Sequence, residues 1–145
     1  MNMISDAVGF LAYGAALAPD GKCKTFDAAA TGFGRGDACG VLVLKPAAIT
    51  DAMRLSSGGV VRSAVNQDGR SASMSAPNGP SQVEVLQRVA HQAGGSALRH
   101  LSETHGTGTA LGDPIEVGAL GMVFGSSGNS GGCMVLGALK SRLGH

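Results

Sequence analysis

The chain has 145 residues, 43% of them apolar, which is enough for one domain with a sizeable core and excludes a chain disordered for want of buriable surface. A net charge of +1 and 3% aromatic residues exclude a phosphate-tracking or base-stacking groove, so no nucleic-acid partner is expected. No apolar stretch reaches the roughly 20 residues that cross a bilayer, so no membrane partner is expected either.

Residues 1–18 are apolar but interrupted by Asp6, and they lack the basic start and cleavage pattern of a secretory signal. A cytoplasmic location is the expectation, with a plastid or other organelle left open. Residues 39–45, centred on Val41-Leu42-Val43-Leu44, read as a short, fully buried strand that Pro46 stops. Residues 47–55 suit a short helix. Residues 60–65 form a second strand candidate, closed by the turn residues Asn66-Gln67-Asp68-Gly69. The Ser-, Pro-, Asn- and Gly-rich stretch 69–80 reads as an ordered loop.

Pro80 suits the first position of a helix that carries Val83, Leu86, Val89 and Ala90 on one face and ends at Gly94-Gly95. Residues 98–104 predict a strand that feeds a glycine-threonine loop. Asp113-Pro114-Ile115-Glu116 then has the pattern of a capping box, opening a helix with Ile115, Val117, Leu120, Val123 and Phe124. Residues 133–139 predict another buried strand with Lys140 at its end. Strands alternating with helices argue for an α/β fold with at least partly parallel strands.

The 24 glycines cluster between apolar runs, which suits many tight turns or reflects a Gly/Ala-biased genome. Cys23, Cys39 and Cys133 are an odd number at wide spacings, with no C-x-x-C pair. Neither a zinc site, any other metal centre nor a disulfide framework is expected. Cys39 and Cys133 lie in apolar runs and read as core residues. Cys23 lies in a loop between Lys22 and Lys24.

The candidate chemistry lies in His105-Gly106-Thr107-Gly108-Thr109 and in Lys140 to His145. A histidine at a strand end stands where α/β folds place ligands. Alone, it reads most simply as a structural histidine beside a tight turn. A phosphate loop is the rival, but Gly106, Gly108 and Gly112 are spaced one residue too widely for the dinucleotide fingerprint. Gly34, Gly36 and Gly40 repeat that wide spacing ahead of a strand rather than a helix. With Lys140 and His145 the picture changes. Two imidazoles and an ammonium in one pocket can donate hydrogen bonds to a developing oxyanion or enolate.

Several longer blocks carry a resemblance. Phe26-Asp27-Ala28-Ala29-Ala30-Thr31-Gly32-Phe33-Gly34-Arg35-Gly36-Asp37 resembles the loop that opens the C-terminal half of a β-ketoacyl synthase. Ser63-Ala64-Val65-Asn66-Gln67-Asp68-Gly69 and Ala76-Pro77-Asn78-Gly79-Pro80 resemble the type I polyketide synthase branch. Glu103 to Thr109, with Gly112-Asp113-Pro114-Ile115-Glu116, is similar to that family's first catalytic-histidine motif. Lys140 to His145 is similar to its second, Lys-x-x-x-Gly-His.

The resemblance implies a thiolase-like α/β fold, present in part: 1–20 as the tail of the N-terminal half and 21–145 as a truncated C-terminal half. It implies a decarboxylative Claisen condensation between an acyl-enzyme and a malonyl-type extender on an acyl carrier protein. His105 and His145 would serve decarboxylation and hold the enolate, with Lys140 organising charge around them. Thr107 and Thr109 match positions that contact the pantetheine arm. No cofactor is bound directly; phosphopantetheine arrives on the carrier protein. The full domain is expected to be a homodimer.

The family's nucleophile lies in an Ala-Cys-Ser-like elbow upstream, and no cysteine here has that setting. The chain is therefore expected to be inactive in isolation, and to present a sheet edge and an apolar face. Thr31, Asp37-Ala38 and Arg142-Leu143 depart from the commoner residues of the polyketide branch. Two alternatives stand beside this reading: a fatty acid synthase ketosynthase, and a catalytically inactive fragment acting as a binding or assembly module.

Overall fold

The computed structural model describes residues 16–44, 59–60, 62–70, 76–92, 101–125 and 134–145. Within them the chain forms α1 (Gly79–Gln92), β1 (Leu101–Glu103), α2 (Gly112–Phe124), β2 (Val135–Gly137) and a single turn, α3 (Lys140–Leu143). β1 and β2 pair in parallel, Leu101 opposite Val135, Ser102 opposite Leu136 and Glu103 opposite Gly137. Parallel neighbours need a crossover, and α2 lies between them in the chain, as the alternating pattern predicts.

α1 starts one residue before the sequence pattern suggests. Asn78 is its cap: Asn78 Oδ1 accepts from the Ser81 backbone N–H at 3.2 Å, satisfying one amide of the free helix end. Pro80 therefore sits second rather than first. Asn78 Nδ2 also donates to the Asp68 carbonyl at 2.6 Å, and Asn66 Nδ2 donates to the Ser81 carbonyl at 2.6 Å. These bonds tie the Asn66–Gly69 turn to the start of α1. The helix then packs on α2, and the two border a groove of about 470 Å3 lined by Pro80, Val83, Ile115, Ala119 and Met122.

α2 does not form the capping box. Its cap position is Leu111, without a side-chain cap, and the Gly112 amide is met instead by Thr109 Oγ1 at 3.2 Å. The carboxylates of Asp113 and Glu116 turn away from their own helix end towards loop amides. The core of the described residues is small: Ala18, Cys23, Ala119 and Leu120 are buried, with Thr104, Thr107 and Asp113 among them.

Two strand expectations fail. Residues 39–44 belong to no sheet, and Val41, Leu42 and Val43 are 84%, 86% and 93% exposed. Cys39 is likewise exposed rather than in the core. Val60 and Val65 are also exposed, and the described part of 60–65 forms no strand. Apolar runs record the need for burial on both faces, but the burial requires neighbouring strands, and no described strand lies beside these. The helix expected at 47–55, and Cys133, lie outside the described residues.

Two outcomes follow. Asn78→Ala should destabilise the chain by about 1 kcal/mol in denaturant melts, since it removes the helix cap and frees the 66–69 turn. The 145-residue chain should self-associate, and Val41→Lys with Val43→Lys should lower its light scattering at equal concentration.

Candidate active site

The site is assembled from three segments: 16–36, 103–109 and 140–145. β1 delivers the first histidine. Thr104 is buried and grips β2 twice, its backbone N–H and its hydroxyl both donating to the Gly137 carbonyl, at 2.8 and 2.7 Å. The next two amides, of His105 and Gly106, donate to the two oxygens of Glu116 at 2.6 and 3.0 Å. One carboxylate on α2 thus fixes the backbone on which the His105 ring is mounted.

Asp113, 5% exposed, makes a second clamp. Its oxygens accept from the Gly108 amide at 3.2 Å and the Phe26 amide at 2.8 Å. Phe26 has φ +58, a left-handed conformation that a bulky residue adopts only under constraint. Thr25 Oγ1 donates to the Gly106 carbonyl at 2.5 Å, and the Gly32 amide donates to the Gly108 carbonyl at 3.0 Å. The 25–32 loop is therefore laced to the glycine-threonine loop from both sides.

The second histidine closes on the first. The His145 amide donates to the Gly34 carbonyl at 2.7 Å, and the Gly36 amide donates back to the His145 carbonyl at 3.2 Å. A side chain at position 36 would collide with the Leu143 carbonyl, so only glycine permits this approach. The His105 and His145 rings meet edge to face, 5.0 Å between centroids at 88°. Phe33 meets His145 in the same way, at 5.0 Å and 85°.

Lys140 opens α3 rather than ending a strand, and is half-buried. No carboxylate pairs with it among the described residues. Thr107 is buried, 4% exposed, with its hydroxyl 3.4 Å from that of Thr109. Thr109, half-buried, borders a cleft of about 380 Å3 with Phe26, Ala28, Ala30 and Val117. The geometry thus brings His105 and His145 into contact, with Lys140 near enough to act on the charge of His145, and puts Thr107 and Thr109 on the adjoining loop.

Sequence reasoning did not identify Asp113 and Glu116 as site residues; it treated them as a helix cap. The available signal was two acids in a first helical turn just after a glycine-rich loop whose amides need acceptors. The aromatic contact from Phe33 carried no signal at all.

Residues 57–145 match the family description "Beta-ketoacyl synthase, C-terminal domain", and residues 3–50 match "Beta-ketoacyl synthase, N-terminal domain". The chain belongs to the β-ketoacyl synthase family. Among relatives of this ketosynthase chain, mycoketide-CoA synthase of Mycobacterium tuberculosis is 48% identical over 134 residues, 89% of this chain and 3% of the relative. One component of the phenolphthiocerol/phthiocerol polyketide synthase of the same species is 45% identical over 150 residues, 99% of this chain and 8% of the relative.

Among solved structures, the ketosynthase from module 6 of the bacillaene synthase of Bacillus subtilis 168 superposes with a TM-score of 0.88 at 33% identity. That match covers 100% of this chain and 26% of the other. The chain thus spans about a quarter of a ketosynthase and far less of the polyketide synthases it matches. Ketosynthase domains have the thiolase-like fold, so the expectation of a partial thiolase-like α/β domain is borne out. So is the resemblance to the polyketide branch. No helix among the described residues is long and apolar enough to cross a membrane.

Within this ketosynthase site, the proton affinity of His145 is lowered from the usual histidine value of 6.5. Partial burial is the main cause, followed by the neighbouring His105, Lys140 and Arg35. Each disfavours the imidazolium and shifts His145 towards the neutral imidazole. Stability tied to neutral His145 is therefore complete above 6.5 and is lost as pH falls through the lower folded value. Carbethoxylation of His145 by diethylpyrocarbonate, followed by mass spectrometry against pH, should show a midpoint below 6.5. Lys140→Met should raise that midpoint.

Proposed function

We propose that this chain supplies the decarboxylation half of a ketosynthase site: it takes a malonyl-type thioester from a carrier protein, releases CO2 and holds the resulting enolate. The observation that carries this reading is the edge-to-face approach of His105 and His145 at 5.0 Å, brought from segments far apart in the chain. Such an approach puts the two imidazoles side by side, within reach of one substrate oxygen. Lowered basicity at His145 favours the neutral, N–H-donating form that the role needs.

The chemistry is then as follows. The bond between Cα and the malonyl carboxylate breaks, CO2 departs, and the electron pair moves into the enolate. Its oxygen accepts hydrogen bonds from the two imidazoles, while the positive charge of Lys140 favours the developing anion. The enolate carbon attacks an acyl thioester on a cysteine of the upstream segment, a carbon–carbon bond forms and the cysteine thiolate leaves. None of Cys23, Cys39 and Cys133 lies in an Ala-Cys-Ser setting, so that cysteine belongs outside these residues.

The arm bearing the malonyl group would lie along the cleft beside Thr109. That cleft is walled by Phe26, Ala28, Ala30 and Val117, and the Thr109 hydroxyl at its edge accepts from the Gly112 amide and shares a hydrogen bond with the Thr107 hydroxyl. An apolar wall with a few hydroxyls suits a pantetheine arm, whose amides need partners and whose methyls do not. Thr107 is buried behind Thr109 and would act through it. An acyl carrier protein is the partner this requires, and the likeness to polyketide synthases supports a polyketide chain as the acyl group.

In the full protein that contains this chain, His105→Ala should lower CO2 release from a malonyl thioester by about 100-fold or more. Acylation of the upstream cysteine should be partly retained. Lys140→Ala should slow CO2 release without lowering the melting temperature. Normal condensation by His105→Ala would overturn the role given to it.

A further inference from the structure

Three residues that meet at the sheet end have no part in the proposed chemistry, yet they stand between its two halves. Glu103 is the last residue of β1, and its register partner on β2 is Gly137. Glu103 Oε1 accepts the Leu139 amide at 2.6 Å. Leu139 is the residue that immediately precedes Lys140 and caps α3.

Reaching Leu139 requires the Glu103 side chain to fold over β2 at Gly137. A Cβ at position 137 would lie 2.6 Å from Glu103 Oε2, inside any contact distance. The glycine and the carboxylate are thus complementary. Beside them, the Thr104 amide and hydroxyl hold the Gly137 carbonyl. The dipeptide that leads into His105 therefore grips the tripeptide that leads into Lys140, through three hydrogen bonds.

Among the described residues no ion pair joins Glu103 to Lys140. Glu103 thus acts on the lysine through the backbone, by setting where α3 begins, and not by charge.

We infer that Glu103 is a positioning residue: by accepting the Leu139 amide across the bare Cα of Gly137, it fixes Lys140 relative to His105 and His145. This inference rests on the ketosynthase reading for its catalytic consequence, and on geometry alone for the placement.

Three variants of the full protein test it. Glu103→Leu removes the acceptor. Glu103→Gln removes the charge but keeps a carbonyl oxygen in the same place. Leu139→Pro removes the donor at a residue whose φ of −60 already suits proline.

Glu103→Leu should lower kcat for CO2 release about tenfold or more, with KM changed less than about twofold, because misplacement harms chemistry more than binding. Glu103→Gln should stay close to the parent. Leu139→Pro should match Glu103→Leu, and combining the two should lower kcat no further.

The second readout does not depend on turnover. His145 is faced by His105, Lys140 and Arg35, each of which disfavours its protonation. Displacing Lys140 should raise the midpoint of His145 carbethoxylation in Glu103→Leu and Leu139→Pro, but not in Glu103→Gln. Equal losses in Leu and Gln variants, additive losses in the double variant, or an unmoved His145 midpoint in Glu103→Leu would each overturn the inference. A parent protein that releases no CO2 would overturn the reaction instead, while the His145 midpoint still decides the placement.

Discussion

The site depends on one carboxylate. Glu116, in the opening turns of α2, accepts the consecutive amides of His105 and Gly106, and without it two N–H groups beside the His105 ring would lack protein partners. Bonds from neutral amides to an ionised acceptor are stronger than neutral ones, and the positive end of the helix favours an acid there. Asp113, three residues earlier, repeats the arrangement for Gly108 and Phe26. A glycine-rich loop has little conformational preference of its own. Here α2 supplies the order, and the loop borrows the rigidity of the helix.

Such an arrangement separates holding from reacting. The groups given the chemistry under the proposed function, His105, His145 and Lys140, make few bonds to the scaffold through their side chains. Their backbones, or those of their immediate neighbours, are held firmly: His105 by Glu116, His145 by Gly34 and Gly36, and Leu139 by Glu103. On the proposed reading, their side-chain nitrogens are left to a substrate oxygen. Desolvation and the neighbouring charged groups lower the proton affinity of His145, so the environment that positions the ring also shifts its protonation towards the neutral form.

Much of this was legible in the sequence. Helical spacing located α1 and α2 to within a few residues, and the apolar runs before His105 and Lys140 gave β1 and β2. Motif order brought His105, His145 and Lys140 together before any geometry was known. What could not be read was reciprocal. Asp113 and Glu116 have the spacing of a local cap, and only the folded chain shows that their oxygens serve a different segment. Val41 to Leu44 carry the pattern of a buried strand, yet pattern states a requirement for neighbours and does not supply them.

The pairing of His145 with Gly34 and Gly36 has a consequence for assembly. It closes a loop of more than a hundred residues, at an entropic cost of about 4 kcal/mol beyond a fixed constant, for two backbone hydrogen bonds and an aromatic edge. Contacts of such high sequence separation form only after the local elements are in place. The two histidines would therefore meet among the last events of folding, when α2 and the sheet already stand. A chain cut before Lys140 would keep both Glu116 bonds beside the first histidine and still lack the second.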